Sequence, residues 1–199
     1  MSSPVATHPT SALQVLKDDH QTVDDLFTQF EQLGPRAHKA RSAVVGRLIE
    51  ALTVHAAIEE MVFYPAVRKA LAGTNAMVLE ALEEHHVVKV LLKELEGMPA
   101  TDERFVAKVT VLAEIVRHHV DEEEKDLFPQ VRSAMTRPQL EELGHELLMA
   151  KQGVSKRPHP SSPDTPPGNV VAAVIAIPVD AAKNAGEAAV RKVRSLANR

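Results

Sequence analysis

Apolar side chains recur every three or four residues through five stretches of the chain, the period of an amphipathic α-helix. The first stripe runs Leu13, Leu16, His20, Val23, Phe27, Phe30. Thr10 or Ser11 fits its N-cap, and Gly34-Pro35 stops it. The second helix is expected over about Arg36 to Tyr64, with Val44, Leu48, Ala51, His55, Ile58 and Val62 on its stripe. Pro65 should end or kink it, with a continuation to Leu71 allowed before Gly73. The third covers about Thr74 to Glu96 through Val78, Ala81, His85, Val88, Leu92 and Leu95. The fourth is expected to start at Thr101 as N-cap, with Asp102 and Glu103 suiting the dipole of a first turn. Its stripe runs Phe105, Val109, Leu112, Val116, His119, Glu123, Leu127. A shorter fifth helix, about Pro138 to Lys151, carries Leu140, Leu143, Leu147 and Leu148.

These elements predict an all-α fold, an antiparallel four-helix bundle with a short fifth helix. Residues 1–10 read as a disordered N-terminus and 11–152 as the bundle. Residues 153–169 hold five prolines and no apolar period, the composition of a linker. The tail, 170–199, is rich in Ala and Val. From Val179 onward Lys183, Arg191, Lys192, Arg194 and Arg199 outnumber Asp180 and Glu187, which suits a basic amphipathic helix. Such a tail fits docking on the bundle, an anionic membrane surface or a protein partner.

Composition narrows the chemistry. Aromatics are only 3% of a chain that is 44% hydrophobic, so aliphatic helices rather than a β-sandwich must fill the core. A formal charge of −4 gives no broad basic footprint for nucleic acid. With no cysteine, thiolate metal sites, disulfides and cysteine nucleophiles are excluded. No secretory signal is visible, and the longest apolar stretch, Val170 to Ile177, is too short to span a bilayer. A cytoplasmic location is the default expectation.

Two motifs stand out: His55-Ala-Ala-Ile-Glu59-Glu60-Met-Val-Phe-Tyr64-Pro65, and His119-Val-Asp-Glu-Glu123-Glu124-Lys-Asp-Leu-Phe128-Pro129. A His and a Glu four apart share one face of a helix, and imidazole with carboxylate suits iron, zinc or manganese. His20 on the first helix and His85 on the third precede these motifs at matching distances and sit in matching apolar surroundings. A lone His on an apolar stripe is commonly a satisfied core residue. Two Glu on the same stripes are different, because a buried carboxylate needs compensating charge. No Lys or Arg is expected on the stripes near the site, so a pair of cations is the natural partner. Glu60 and Glu122 read as a solvated acidic face. Glu83-x-x-His86 and Glu142-x-x-His145 match a ferritin-type spacing, but His86 lies off its stripe and His145 lies in the fifth helix. No His-Glu-x-x-His motif or nucleophile elbow occurs. His8, His38 and His159 fall in loop-like contexts.

The set His20, His55-x-x-x-Glu59, His85 and His119-x-x-x-Glu123 resembles the hemerythrin-like, or HHE cation-binding, domain over about residues 11 to 135. The resemblance implies a four-helix bundle around two iron ions. His20, His55, His85 and His119 would be terminal ligands. Glu59 and Glu123 would bridge the irons beside an oxo or hydroxo group. Reversible oxygen carriers of that family have a further His where this chain has Lys89. That departure leaves more open coordination positions, which suits turnover better than carriage. His86, Glu60, Glu124, Tyr64 and Asp24 are the further candidates to fill a position. The resemblance favours iron over manganese. It implies a soluble non-haem protein acting on dioxygen, hydrogen peroxide or nitric oxide, with catalase-like peroxide breakdown as the specific expectation. The alternative is an iron or oxygen sensing or storage module that signals through the tail.

Overall fold

A computed structural model describes residues 10–161, and the described chain is entirely helix and connecting turns. The expectations for residues 1–9 and for the tail lie outside the described residues, as do residues 162–169 of the Pro-rich stretch. Helix α1 spans Ala12–Glu31, capped by the Ser11 hydroxyl, which accepts from the Gln14 amide. Helix α2 spans His38–Ile58 and runs through a π-helical turn, Glu59–Phe63, into α3, Tyr64–Ala70. Helix α4 spans Asn75–Gly97. Helix α5 spans Phe105–Glu122 and passes through a second π turn, Glu123–Leu127, into α6, Phe128–Ala134. Helix α7, Arg137–Gly153, starts with a capping box between Thr136 and Gln139.

The packing pairs α1 with α2, α2 with α4, α4 with α5 and α5 with α1, closing a four-rod bundle. Helix α7 lies outside it, against α1, α2 and the first π turn.

One expectation about helix ends is refined and one is corrected. The helical run continues past Pro65 to Ala70, the continuation allowed before Gly73. Proline lacks an N–H and crowds the carbonyl four residues back, and the widened turn accommodates both: the Tyr64 amide bonds the Glu59 carbonyl, five residues back. Pro129 follows the same device, with the Phe128 amide on the Glu123 carbonyl. The fourth rod starts at Phe105 rather than after Thr101. The Asp102 side chain accepts from the Arg104 amide at 2.8 Å, a local bond that competes with helix and holds a turn there.

The core has two apolar clusters. One gathers Leu13, Leu16, Phe63, Phe128, Leu143 and Leu147 at the proline end of the rods. The other gathers Phe27, Leu48, Leu92, Phe105 and Leu112 at the opposite end. His20, His55, His85 and His119 fall between the two sets on every rod, so the polar band is sealed on both sides. Of the stretch expected to be linker, residues 154–161 are described and lie on the bundle. Val154 is buried, Arg157 pairs with Glu96 at 2.8 Å, and Lys156 pairs with Glu50.

Helix α7 is seated by a close approach at Gly144. A Cβ there would fall onto the Thr10 carbonyl oxygen and within 2.8 Å of the Ala12 nitrogen, both backbone atoms that cannot rotate away. Gly144→Ala is therefore expected to cost about 1–3 kcal/mol by overpacking. The loss should appear as a lowered urea midpoint with the helix content of the native state kept.

Candidate metal centre

Each rod places one histidine in the sealed band. His20, His55, His85 and His119 are all at most 5% exposed, and Glu59 and Glu123 are at most 3% exposed. On one side His20 Nε2 lies 3.4 Å from Glu123 Oε2, and His55 Nε2 lies 3.2 Å from Glu59 Oε2. On the other side His85 Nε2 lies 3.4 Å from Glu59 Oε2, 3.2 Å from His119 Nε2, and His119 Nε2 lies 3.8 Å from Glu123 Oε2. These donors form two groups able to hold a cation, His20–His55–Glu59–Glu123 and Glu59–His85–His119, with Glu59 in both.

The outer nitrogens explain this arrangement. His20 Nδ1 faces Glu124 at 2.9 Å, His85 Nδ1 faces Glu60 at 3.0 Å, and His119 Nδ1 faces Glu84 at 2.7 Å. His55 Nδ1 lies 3.5 Å from Asp19, at the outer limit of a hydrogen bond. A carboxylate on Nδ1 fixes the proton there, so each Nε2 presents a lone pair inward. For His85 and His119 this sets the two Nε2 atoms 3.2 Å apart. Two ligands at right angles on a metal with bonds of about 2.1 Å stand about 3.0 Å apart. The observed separations are those of neighbouring donors around a shared ion. His20 Nε2, His55 Nε2, both oxygens of Glu59 and Glu123 Oε2 are buried without a hydrogen-bond partner. That many orphaned buried acceptors is costly unless a cation satisfies them. The donor set is wholly nitrogen and oxygen, and it fits iron or manganese.

Electrostatics among these side chains follow from burial and from their neighbours. Burial and the neighbouring Glu123 charge raise Glu59 well above the usual carboxylate range. For Glu123, burial pushes upward too, but the interactions with the neighbouring His119 and His20 imidazoles outweigh it and hold it below that range. Burial pushes His55 down to about 4 and lowers His85. In His119 burial is outweighed by Glu123 and Glu84, and its affinity for a proton rises. Burial, then Glu123, keeps the Tyr64 phenol protonated far above its ordinary range.

The hemerythrin HHE cation-binding domain family matches residues 11–131. The chain belongs to that family. Its relatives include a protein named DNA nickase from a Nostoc species, 31% identical over 143 residues, covering 72% of this chain and 40% of that one. A hemerythrin-like protein of Schizosaccharomyces pombe is 30% identical over 130 residues, covering 65% of this chain and 64% of its own length. This chain thus spans less than two thirds of either relative. The crystal structure of an HHE domain-containing protein from Mycobacterium kansasii superposes with a TM-score of 0.62 at 26% identity, over 72% of this chain and 86% of that one.

The remaining sequence candidates separate cleanly in this HHE bundle. Tyr64 donates to Glu123 Oε1 at 2.9 Å. Glu60 and Glu124 hold imidazoles from outside rather than facing the donor groups. His86 is exposed, and Asp24 pairs with Arg117 at 2.9 Å on the surface. Both Glu-x-x-His matches, Glu83/His86 and Glu142/His145, are exposed.

Two readings are corrected. Glu60 is not part of a solvated face; it is 5% exposed. A lysine does lie beside the site: Lys89 is 8% exposed, and its Nζ donates to both Glu60 oxygens at 2.9 and 3.1 Å. Asp19 and Glu84 were missed altogether. Their signal was in the chain, because an acid stands immediately before both His20 and His85.

Two outcomes are expected. Lys89→Met leaves the Glu60 charge buried and unpaired, a loss of about 3–5 kcal/mol. Adding Glu60→Gln should recover most of it in the same urea titration. Glu59→Gln tests the buried acid. A raised folded-state pKa means Glu59 costs stability above its unfolded value of 4.5, increasingly as pH climbs towards the folded value. Chelator-treated wild type should therefore lose stability relative to Glu59→Gln as pH rises from about 4.5 to 8. With metal added, the order should reverse.

Proposed function

We propose that this chain is a non-haem di-iron protein that handles small oxidants, with catalase-like breakdown of hydrogen peroxide as its activity. The observation that carries this reading is a cavity of about 20 Å³ faced by His20, His55, His85 and His119 together. Val23, Leu52, Ala56, Val88, Val116 and Val120 complete its wall. About 10–15 Å³ is enough to admit one water-sized molecule. The space therefore suits a molecule of one or two heavy atoms, such as dioxygen, nitric oxide or peroxide. The valine and leucine wall excludes larger reductants and bulk water.

Glu59 and Glu123 would hold the two ions from both sides, and the four Nε2 atoms would complete the ligand set. Iron, when bound, supplies Lewis acidity and electrons for O–O cleavage. Glu60, Glu124 and Glu84 keep each Nδ1–H in place, so the ligands hold their orientation through a cycle. Tyr64 keeps its proton and fixes Glu123 Oε1, which leaves Oε2 to face the centre. The net reaction oxidises one peroxide to dioxygen and reduces a second to two waters, so electrons and protons balance between the substrates. Lys89, standing where oxygen carriers of this family have a ligand, is tied to Glu60 and leaves that position free for substrate.

Elemental assay of anaerobically iron-loaded protein is expected to find two irons per chain. Peroxide addition should release one dioxygen per two peroxides consumed. His55→Ala and Glu59→Ala, checked for native helix content, should lose iron affinity at least 10–100-fold, and activity with it. Turnover that survives in either iron-free variant overturns the reading. Two irons without turnover would instead indicate a sensing or storage module. Loading with manganese in the same assay tests which metal the centre serves.

A further inference from the structure

The two halves of the bundle repeat, with His20 matching His85 and His55 matching His119. The groove beside the donors does not repeat. Between α1 and α2 it is lined by Val15, Ile58 and Val62, and α7 closes it through Leu140, Leu143 and Leu147. At the matching positions between α4 and α5 stand Glu80, Glu122 and Asp126. No helix closes that groove among the described residues, and it opens as a cavity of about 320 Å³.

Its floor is the metal centre. His119 and Glu123 line it, and Glu123 is 3% exposed with Oε2 lacking any hydrogen-bond partner. No Lys or Arg lines it, and among the described residues no cation pairs with Glu80 or Asp126. At the rim Glu84, His118 and Glu122 each offer a ligand atom within 4.8 Å of the others. Another cavity that reaches the centre, about 440 Å³ beside His20, is different. Lys17 and Arg117 line it and neutralise its Glu124 and Asp24.

We propose that the acidic groove between α4 and α5 is the port through which a divalent cation reaches the buried donors. This rests on the reading of those donors as a metal centre. A cleft of one charge sign with low-dielectric walls concentrates counter-ions and speeds their arrival. Glu80, Glu122 and Asp126 supply that charge without being ligands or Nδ1 partners of the centre. They therefore govern how fast metal arrives rather than whether it stays.

The test is stopped-flow loading of the chelator-treated full chain with cobalt(II), followed by its ligand-field absorption. Glu80→Gln/Glu122→Gln/Asp126→Asn should load about tenfold more slowly and with weaker dependence on ionic strength. Its final metal content by elemental assay should match wild type. Asp25→Asn/Glu103→Gln/Glu146→Gln removes the same charge from exposed positions elsewhere and should load at the wild-type rate. Equal rates for wild type and the groove variant, or equal slowing in both variants, overturn the port. Failure of wild type to take up any metal overturns the reading beneath it instead.

Discussion

The rest of the structure depends on the carboxylate placed behind each imidazole. With the Nδ1 atoms of His20, His85 and His119 held by Glu124, Glu60 and Glu84, and that of His55 facing Asp19 at 3.5 Å, the Nε2 atoms are turned inward. Charge is then laid out in layers. Lys17 holds Glu124 at 2.8 Å, Lys89 holds Glu60, and Lys151 holds Asp19. The lysines neutralise the outer acids and leave the inner donors unsatisfied. Ion pairs of this kind cost desolvation and add little net stability. The two apolar clusters above and below the band carry the burial that holds the rods together.

The proline of each motif has a role in this geometry that its reputation as a helix breaker hides. In a regular α-helix Tyr64, five residues after Glu59, would project well away from it. The π turn absorbs one residue, so Tyr64 falls where the fourth residue would. From there its hydroxyl crosses the bundle to Glu123. Glu59, Tyr64 and Pro65 thus form one unit, in which the missing N–H at Pro65 sets where the phenol points. Phe128 takes the same place in the second motif and stacks on His20 at 5.9 Å between ring centres.

Much of this was legible in the chain because it is local. The five helices follow from a 3.6-residue period, and the pairs His55/Glu59 and His119/Glu123 follow from a spacing of four on one stripe. What escaped sequence reasoning is tertiary. Glu124 on the fourth rod serves His20 on the first, and Glu84 on the third serves His119 on the fourth. No single-helix pattern encodes those pairings, and a second acid beside a ligand acid looks like surface. Lys89 was misread for a related reason. A lysine on a helix stripe is ordinarily solvated, and only Glu60, arriving from another rod, makes its burial tolerable. The start of α5 was missed because Asp102 suits a first turn and a preceding turn equally, and its side-chain bond to Arg104 decides between them.

The bundle carries a nearly two-fold set of donors, but what stands behind the donors differs between the halves. Glu123 has Tyr64 on one oxygen, whereas both oxygens of Glu59 lack a hydrogen-bond partner and Glu59 belongs to both cation groups. Three of the outer acids carry a lysine; Glu84 does not, and the His118 imidazole lies 3.9 Å from it. A carboxylate relieved of its charge by lysine pulls less on the imidazole proton and leaves that imidazole a weaker donor. His119 therefore stands against the least compensated acid, and it is a site histidine whose proton affinity is raised. It is also the one that lines the open acidic groove. The two halves share their donor residues and differ in the charge behind them and in access, so a symmetric donor list sits in an asymmetric surround.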